Sequence, residues 1–437
     1  MTLNGELVGV LCEDNNIWTF IYDPDWAASP TGFDLSPALS RSQLRHTDGS
    51  TVRSVQWYFD NLLPEEELRS FLANENKCDG SDAFSLLAYF GAESAGSLVL
   101  LPPGQHELPG GQTRALPDEI LYQRIKDLPH ATLTKNAPKR MSLAGAQHKL
   151  LVVYTDGKLD EPVGGTPSTH ILKPNHQSAY YPASVMNEYF TMRLAAKLGL
   201  NVPLVYRHYT PEPVYIIQRF DRYTDTSGQT QRRHIIDTCQ LLDKDRLFKY
   251  RDATIATLKT VISRCRNKVA ATSRLYQWLV FNILIANADN HLKNLSFTVS
   301  EHGIDLSPFY DILSTGVYQT RAIANERATW DKVDMVIALG DVKSFSDVTR
   351  AVVLQAGADL GLSPAACVRE LDRQIAKLPG VVEQIEGEIM KENALLKPAV
   401  AKFLASEIRL IGIIKHIIVP EMIKKISVNN LAKSSAA

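Results

Sequence analysis

The sequence predicts an α+β protein with β-rich N-terminal subdomains and a mostly α-helical C-terminal part. Short apolar runs separated by turn residues occupy the first hundred positions, and three further runs, at 150–154, 169–173 and 215–219, have the pattern of strands. From residue 236 onward helical patterns take over. The chain has 437 residues, of which 45% are hydrophobic, so it is long enough to form two or three domains.

The first subdomain is predicted to span residues 1–112. Residues 6–22 are short apolar runs broken by Asn15-Asn16, as in a hairpin. A proline with three acids at 64–67 and the pattern at 82–90 predict short helices. Residues 102–111 are rich in proline and glycine, which indicates a linker closing this unit.

Two further units are predicted, at residues 113–223 and 224–437. Residues 184–198 form a helical pattern ended by Gly199, and the order strand, strand, helix, strand is typical of a nucleotide-binding lobe with a phosphate loop. Residues 273–286 are apolar on almost every side, as in a central buried helix. The last unit is therefore predicted to be helical and to carry the reactive residues.

Composition excludes several classes of protein. Lys and Arg number 47 against 48 Asp and Glu, so no overall charge attracts the chain to nucleic acid or to an anionic membrane. The five cysteines form no C-x-x-C pair, which argues against a disulfide framework or a zinc site. Arg409, Lys415 and His416 interrupt the most apolar tract, residues 408–419, so we interpret it as a buried helix. The first residues lack the order of a secretory signal, and we expect a cytoplasmic protein without a membrane partner.

The strongest chemical motif is Asp289-x-His291-x-x-Asn294, which follows the predicted buried helix. Phosphoryl transfer from ATP requires a carboxylate that accepts the proton of the attacking hydroxyl and oxygen ligands for Mg²⁺. Asp289 is predicted to be this catalytic base and Asn294 to hold the metal. The alternative is that both are ordinary turn residues, a common role for Asp and Asn. His291 is expected to orient its neighbours through hydrogen bonds. Lys293 is expected to offset charge on the phosphoryl group or, alternatively, to be solvated, and both residues are assigned with Asn294 to the cofactor site.

A second carboxylate, Asp311, follows a further short strand pattern in Pro308-Phe309-Tyr310-Asp311. This is a suitable place for an acid that bridges Mg²⁺ to the phosphates of a nucleotide. The alternative is that Asp311 caps the next helix, which is a common role for Asp.

A nucleotide also needs a phosphate cradle and a cation. Lys173 ends an apolar strand pattern, where an ammonium group is costly unless it meets an anion, although a lysine that extends to water is the alternative. Before the strand at 150 lies a loop of small residues whose backbone N–H groups would approach phosphates: Ala144, Gly145, Ala146, Gln147, His148 and Lys149. Arg232-Arg233 is interpreted as an exposed charge run.

Six motifs together resemble the HipA family of bacterial serine/threonine kinase toxins. They occur in the family's order along most of the chain: Ser142-Leu143-Ala144-Gly145-Ala146-Gln147-His148-Lys149, Thr169-His170-Ile171-Leu172-Lys173-Pro174, Asn187-Glu188-Tyr189, Arg219-Phe220-Asp221-Arg222, Asp289-x-His291-x-Lys293-Asn294 and Pro308-Phe309-Tyr310-Asp311. The predicted subdomain 1–112, with its Phe59-Asp60-Asn61-Leu62-Leu63-Pro64 segment, also resembles that family.

The resemblance implies a two-lobed protein-kinase-like fold that binds ATP and Mg²⁺. Asp289 would be the base, Asn294 and Asp311 the metal ligands, and Lys173 a contact to the phosphates. The hinge beside adenine would include Gln218 and Phe220. In this family a serine in the phosphate loop is autophosphorylated, which inactivates the kinase, and the matching residue is Ser142.

The resemblance also implies partners. Family members are neutralised by a small helix-turn-helix antitoxin, here a HipB-like protein, which binds operator DNA and so forms a DNA-binding complex. Their substrates belong to the translation machinery, such as aminoacyl-tRNA synthetases, and their activity is linked to persistence. Nothing in the composition or spacing of this sequence indicates these partners.

Two other functions fit parts of the same sequence. A small-molecule kinase of the aminoglycoside or choline type has a similar Asp-x-His-x-x-Asn loop, although the predicted subdomain 1–112 and the Ser142 loop argue against this function. A catalytically silent co-repressor module would not need Asp289, Asn294, Asp311 and Lys173 together.

Overall fold

The computed structural model describes residues 1–75, 77–139, 141 and 144–427, and these form two compact units. The first unit comprises Met1–Pro174, His208–Lys249 and Leu295–Ser307. The second comprises Asn175–Arg207, Tyr250–Asn294 and the chain from Pro308 onward. Each unit is therefore built from three separate stretches of sequence.

The first unit begins with two small antiparallel sheets, and elements are numbered along the chain. One has the order β2-β1-β6, with β1 at Thr2–Leu3, β2 at Glu6–Leu7 and β6 at Leu98–Val99. The other has the order β3-β4-β5, with β3 at Gly9–Asp14, β4 at Ile17–Tyr22 and β5 at Arg45–Thr47.

The predicted hairpin is the β3–β4 pair, and its turn explains why it forms. Asn15 and Asn16 both adopt the left-handed conformation, with φ of 51° and 61°, which two-residue hairpin turns require and asparagine tolerates. Five helices follow in this part of the chain: α1 (Pro24–Ala28), α2 (Ser54–Asp60), α3 (Glu66–Glu75), α4 (Ala83–Phe90) and α5 (Asp118–Lys126). Asp82 caps α4 by accepting a hydrogen bond from the Ser85 backbone, which confirms the helix predicted at 82–90.

The largest sheet of the described residues has six strands. Its order is β11-β12-β10-β8-β9-β7, with β7 at Gln112–Ala115, β8 at Leu150–Thr155, β9 at Lys158–Val163, β10 at His170–Pro174, β11 at Val205–Tyr209 and β12 at Pro213–Gln218. The three predicted strands are therefore confirmed as β8, β10 and β12. In the β10–β12 pair, His170 lies opposite Gln218 and Lys173 opposite Tyr215.

Two further small sheets and a short helix complete the first unit. Strands β13 (Arg222–Thr224) and β14 (Thr230–Arg232) form a hairpin. A second sheet has the order β15-β16-β17, with β15 at Ile235–Asp237, β16 at Ser296–Ser300 and β17 at Gly303–Leu306, and α7 spans Thr238–Leu241.

The core of the first unit contains a carboxylate surrounded by cations, which we call the Glu93 cluster. Glu93 is 1% exposed, and its oxygens lie between 2.8 and 3.5 Å from the nitrogens of Lys139, Arg219, Arg222 and Arg232. Burial alone would raise the pKa of Glu93, but these cations hold it well below its usual value. The prediction that Arg232 belongs to an exposed charge run is wrong, because this side chain is 5% exposed and is held by Glu93.

The second unit is mostly helical. Its helices are α6 (Ser184–Lys197), α8 (Ile255–Arg264), α9 (Lys268–Leu284), α10 (Arg350–Leu360), α11 (Pro364–Asn393), α12 (Ala401–Ile413) and α13 (Val419–Ser427), and strands β18 (Asp334–Leu339) and β19 (Val342–Ser344) form a hairpin. Helix α9 contacts α8, α10, α11 and α13. Because neighbours surround it, α9 is apolar on almost every side, as predicted.

The apolar tract at 408–419 lies within the last helices of the second unit. A π-helical turn, Ile414–Ile418, joins α12 to α13, and Ile411, Ile414 and Ile418 are fully buried. The buried helix predicted here is confirmed. In the part of the chain that the structure describes, no helix combines the length and apolarity that crossing a membrane requires.

The Glu93 cluster gives a prediction about stability. Replacing Glu93 by Gln keeps the size of the side chain but leaves four buried cations without their shared anion, and such a loss costs about 3–5 kcal/mol. The control is Glu107→Gln, because Glu107 pairs only at the edge of the cluster, 3.0 Å from Arg232, and its side chain is 23% exposed. That variant should lose about 1 kcal/mol or less. Thermal unfolding measures the melting temperatures of Glu93→Gln and Glu107→Gln. If the two variants melted at the same temperature, the cluster would not stabilise the core.

Candidate active site

The Asp289 loop, residues 285–294, starts where α9 ends. The Asn282 amide donates to the carbonyl of Trp278 one turn earlier, at 2.8 Å, and its oxygen accepts from the Asn287 amide at 2.6 Å. The Asn287 oxygen in turn accepts the backbone N–H of Asp289 at 2.9 Å. A chain of side-chain amides therefore extends the order of a buried helix into the loop.

Further hydrogen bonds fix the path of the Asp289 loop. The backbone carbonyl of Asp289 accepts from the N–H of His291 at 2.9 Å and from the side-chain amide of Asn294 at 2.8 Å. The hydroxyl of Thr315 accepts the N–H of Ala288 at 2.6 Å. Because each of these bonds ends on the backbone around Asp289, the carboxylate is carried by a rigid turn.

The side chain of Asp289 has a partner that the sequence did not indicate. The phenol of Tyr250 donates to Oδ1 of Asp289 at 2.9 Å. The Tyr250 ring also meets the His291 ring edge to face, with the centroids 4.9 Å apart and the planes at 82°. His291 is 9% exposed, and it supports the ring that holds the carboxylate.

The Asp311 segment, residues 307–314, is fixed by α6. The side-chain amide of Asn187 donates to the Ser314 carbonyl at 2.9 Å and accepts the Ser314 N–H at 2.8 Å. The phenol of Tyr310 donates to the carbonyl of Lys293 at 2.8 Å, which ties this segment to the Asp289 loop. Asn187, within the Asn187-Glu188-Tyr189 motif, thus has a structural task.

Asp311 has an unusual backbone conformation. Its φ is 57°, in the left-handed region that non-glycine residues seldom occupy and that is enriched at functional sites. The next helical turn, Thr315–Gln319, begins after Ser314, so Asp311 is not its capping residue. The surrounding hydrogen bonds stabilise this conformation.

The donor set of the second unit suits a magnesium ion. Asn294 donates from its amide nitrogen to the Asp289 carbonyl, so its amide oxygen is the atom that could bind a metal, and Asp311 has a carboxylate that could do so as well. Mg²⁺ is usually held by one or two such oxygens together with phosphates and water. Among the described residues, no group of three or more His, Cys, Asp or Glu side chains is arranged for a metal, so a zinc-type site is not found there.

The small-residue loop, residues 144–149, lies in the first unit. Gly145 has φ of 111°, and a Cβ at this position would come within 2.7 Å of the Lys149 ammonium. Lys149 donates to the carbonyl of Ala144 at 2.6 Å, and Gln147 donates to the carbonyl of Pro174 at 3.0 Å. The Lys149 ammonium closes the loop, and the absence of a side chain at Gly145 leaves room for it. The loop thus brings a cation next to a glycine backbone, a combination suited to binding phosphate.

The other predicted nucleotide residues of the first unit lie on strands β10 and β12, just after β12, or in the small-residue loop. Lys173, 8% exposed, lies on β10 with its ammonium 5.8 Å from the centre of the Tyr215 ring. Gln218 ends β12 and is exposed, and Phe220 is half-buried two residues later. Ala146 is exposed at the tip of the loop, and the His148 ring packs against Phe71, with the centroids 6.3 Å apart.

Ser142 lies outside the described residues. Tyr250, Asn287 and Asn187 are the residues that sequence reasoning missed as parts of the site. Tyr250 acts on a residue 39 positions away and Asn187 on one 127 positions away, so no local pattern reveals these roles, although Asn187 belongs to one of the family motifs. Asn287 had a usable signal, because an asparagine two residues before a candidate base is well placed to accept its N–H.

Comparison with known families and structures gives a consistent assignment. The model of the HipA-like C-terminal domain matches residues 141–378, and that of the HipA N-terminal domain matches residues 1–101. A putative kinase of Sinorhizobium fredii, Y4mE, is 35% identical over 72% of this chain and 76% of its own length. The serine/threonine-protein kinase toxin HipA of Shewanella oneidensis is 33% identical over 73% of this chain and 75% of its own.

The fold of this chain also matches a solved structure of that toxin. HipA of Shewanella oneidensis, determined in complex with HipB and its operator DNA, superposes with a TM-score of 0.75, covering 97% of this chain and 99% of the other at 28% identity. The predicted α+β fold class is confirmed by this match. The two family models and the relatives together show that the chain belongs to the HipA family.

Proposed function

We propose that this protein is an ATP-dependent serine/threonine protein kinase and the toxin of a toxin–antitoxin pair. The observation that carries the proposal is the Asp289 loop, where a half-buried carboxylate stands on a turn fixed by Asn287 and Asn294. Phosphoryl transfer depends mainly on positioning and charge, so a rigidly held base is the part that the protein must supply.

In the proposed reaction, Asp289 accepts the proton of the substrate hydroxyl. Asn294 and Asp311 would hold Mg²⁺, and Lys173 with residues 144–149 would contact the phosphates. ATP supplies the phosphoryl group, and Mg²⁺ offsets the negative charge of its phosphates. Gln218 and Phe220 would lie beside the adenine.

The proposed regulation and partners follow from family membership. Phosphorylation of Ser142 by the protein itself would add about two negative charges to the phosphate loop and so disfavour ATP. The Shewanella relative was determined with HipB and operator DNA, and we infer a HipB-like helix-turn-helix antitoxin here. The proposed substrate is a protein of the translation machinery in the cytoplasm, and its modification would slow growth and favour persistence.

Substitution of the base tests the reaction directly. Asp289→Asn retains the shape of the side chain but cannot accept a proton, so transfer of radioactive phosphate from ATP should fall by a factor of about 10²–10⁴. Asp334→Asn, at an exposed position on β18, is the matched control and should retain full activity. Wild-type labelling by Asp289→Asn would contradict the assignment, provided that both variants melt at the wild-type temperature.

The metal role of Asp311 is tested by Asp311→Asn. Asparagine tolerates the left-handed backbone at this position, whereas alanine would add strain, so the change tests the charge. The loss of a charged oxygen ligand should raise the Mg²⁺ concentration for half-maximal activity by about tenfold or more. Titration calorimetry of Mg²⁺ with ATP present should show the same weakening, and unchanged binding would exclude Asp311 as a ligand.

Phosphoproteomics of cells that express wild type or Asp289→Asn tests regulation and substrate together. Wild-type cells should contain phosphate on Ser142 and on at least one serine or threonine of a translation protein, and both should be absent in the variant. Phosphate on Ser142 in cells with Asp289→Asn would mean that another kinase modifies it. A phosphorylated sugar or amino alcohol, with no labelled protein, would instead favour the small-molecule kinase.

A further inference from the structure

The contact between Tyr250 and Asp289 has no place in the reaction described above. It joins a phenol O–H to the oxygen of the proposed base at 2.9 Å, which is a normal hydrogen bond. Tyr250 is 45% exposed, so burial does not force the contact. A half-exposed tyrosine whose hydroxyl donates to the proposed base therefore has a functional rather than a packing explanation.

The tyrosine is held in place by its surroundings. Its carbonyl accepts the N–H of Ala253 at 3.1 Å, and Thr254 then caps α8 by accepting the N–H of Thr257 at 3.1 Å. Its ring rests against His291, which belongs to the same loop as the base. Backbone and ring therefore both fix where the hydroxyl lies.

A carboxylate on a fixed backbone can still rotate about its last side-chain torsion. Rotation of the Asp289 carboxylate about its last torsion is broad and nearly two-fold, so the loop hydrogen bonds alone do not decide where each oxygen points. The hydrogen bond from Tyr250 to Oδ1 restricts this rotation. Small displacements of a catalytic group reduce rates strongly, which makes this restriction valuable.

We propose that Tyr250 is a positioning residue that holds Oδ1 of Asp289, so that Oδ2 accepts the proton of the substrate hydroxyl. This inference rests on the proposed kinase function. As the substrate O–H bond breaks, its proton passes to Oδ2 while its oxygen bonds to the γ-phosphorus, and the bond from phosphorus to the oxygen of the leaving ADP breaks. Tyr250 keeps its own proton throughout.

The experiment uses the purified full chain with radioactive ATP and measures self-labelling at a series of ATP concentrations. Tyr250→Phe keeps the ring against His291 but lacks the O–H. Its maximal rate should fall about tenfold, with the half-saturating ATP concentration and the melting temperature unchanged. The matched control is Tyr223→Phe, because Tyr223 is exposed to a similar extent, 42%, and this variant should label like wild type.

A double variant separates positioning from a general effect on structure. If Tyr250 acts through Asp289, Tyr250→Phe should cause no further loss in the Asp289→Asn background, since residues that act as a unit are not additive. A further tenfold loss there would overturn the proposal. The proposal would also be overturned if Tyr250→Phe alone labelled at the wild-type rate, or if it changed only the half-saturating ATP concentration.

Two further outcomes are distinguishable. A phenol bonded to a base also resembles an attacking hydroxyl, and phosphate on Tyr250 in mass spectra of wild type would identify it as an acceptor and overturn the positioning role. If wild type labels, Asp289→Asn does not and Tyr250→Phe equals wild type, only this inference fails. If wild type transfers no phosphate to any protein, the proposed function itself fails.

Discussion

The candidate active site depends on the hydrogen bond between the Asn287 side chain and the backbone N–H of Asp289. This bond is the last step of a relay that begins inside α9, at the carbonyl of Trp278, and passes through Asn282. Helix α9 is packed on several sides, so its end cannot move without disturbing the core of the second unit. The relay extends this rigidity to Asp289, which is only half-buried although most of the loop around it is buried.

The Asp311 segment is built on the same principle with a different helix. Asn187 holds both backbone groups of Ser314, and the Thr191 hydroxyl, one turn later on α6, donates to the carbonyl of Ile312. These bonds keep Asp311 in a left-handed conformation that a loop exposed to water would leave. Asp289, the proposed base, and Asp311, the proposed metal ligand, are thus anchored to different helices and linked through the hydrogen bond from Tyr310 to Lys293.

The sequence predicted those features that local chemistry determines. The Asn15-Asn16 turn, the helix at 82–90 and the buried α9 each follow from a few adjacent residues. Strand β9, with the sequence Lys-Leu-Asp-Glu-Pro-Val, was missed because charged residues obscure its alternation, and only pairing with β7 and β8 makes it a strand.

Long-range contacts were not predictable for a related reason. Tyr250 reaches Asp289 across 39 positions, and Arg232 reaches Glu93 across 139. Arg232 was misinterpreted because an arginine next to another arginine usually lies at the surface, and only the fold brings a buried carboxylate to it. Motif order identified the candidate site residues, whereas the residues that position them became evident only from the structure.

The two units hold their carboxylates with different kinds of partner. The Glu93 cluster satisfies a buried charge with full cations, which act strongly at short range in a poorly solvated core. Asn287, Asn294 and Tyr250, which form hydrogen bonds with Asp289, are neutral groups. Neutral donors and acceptors fix geometry through the direction of their hydrogen bonds and add no net charge.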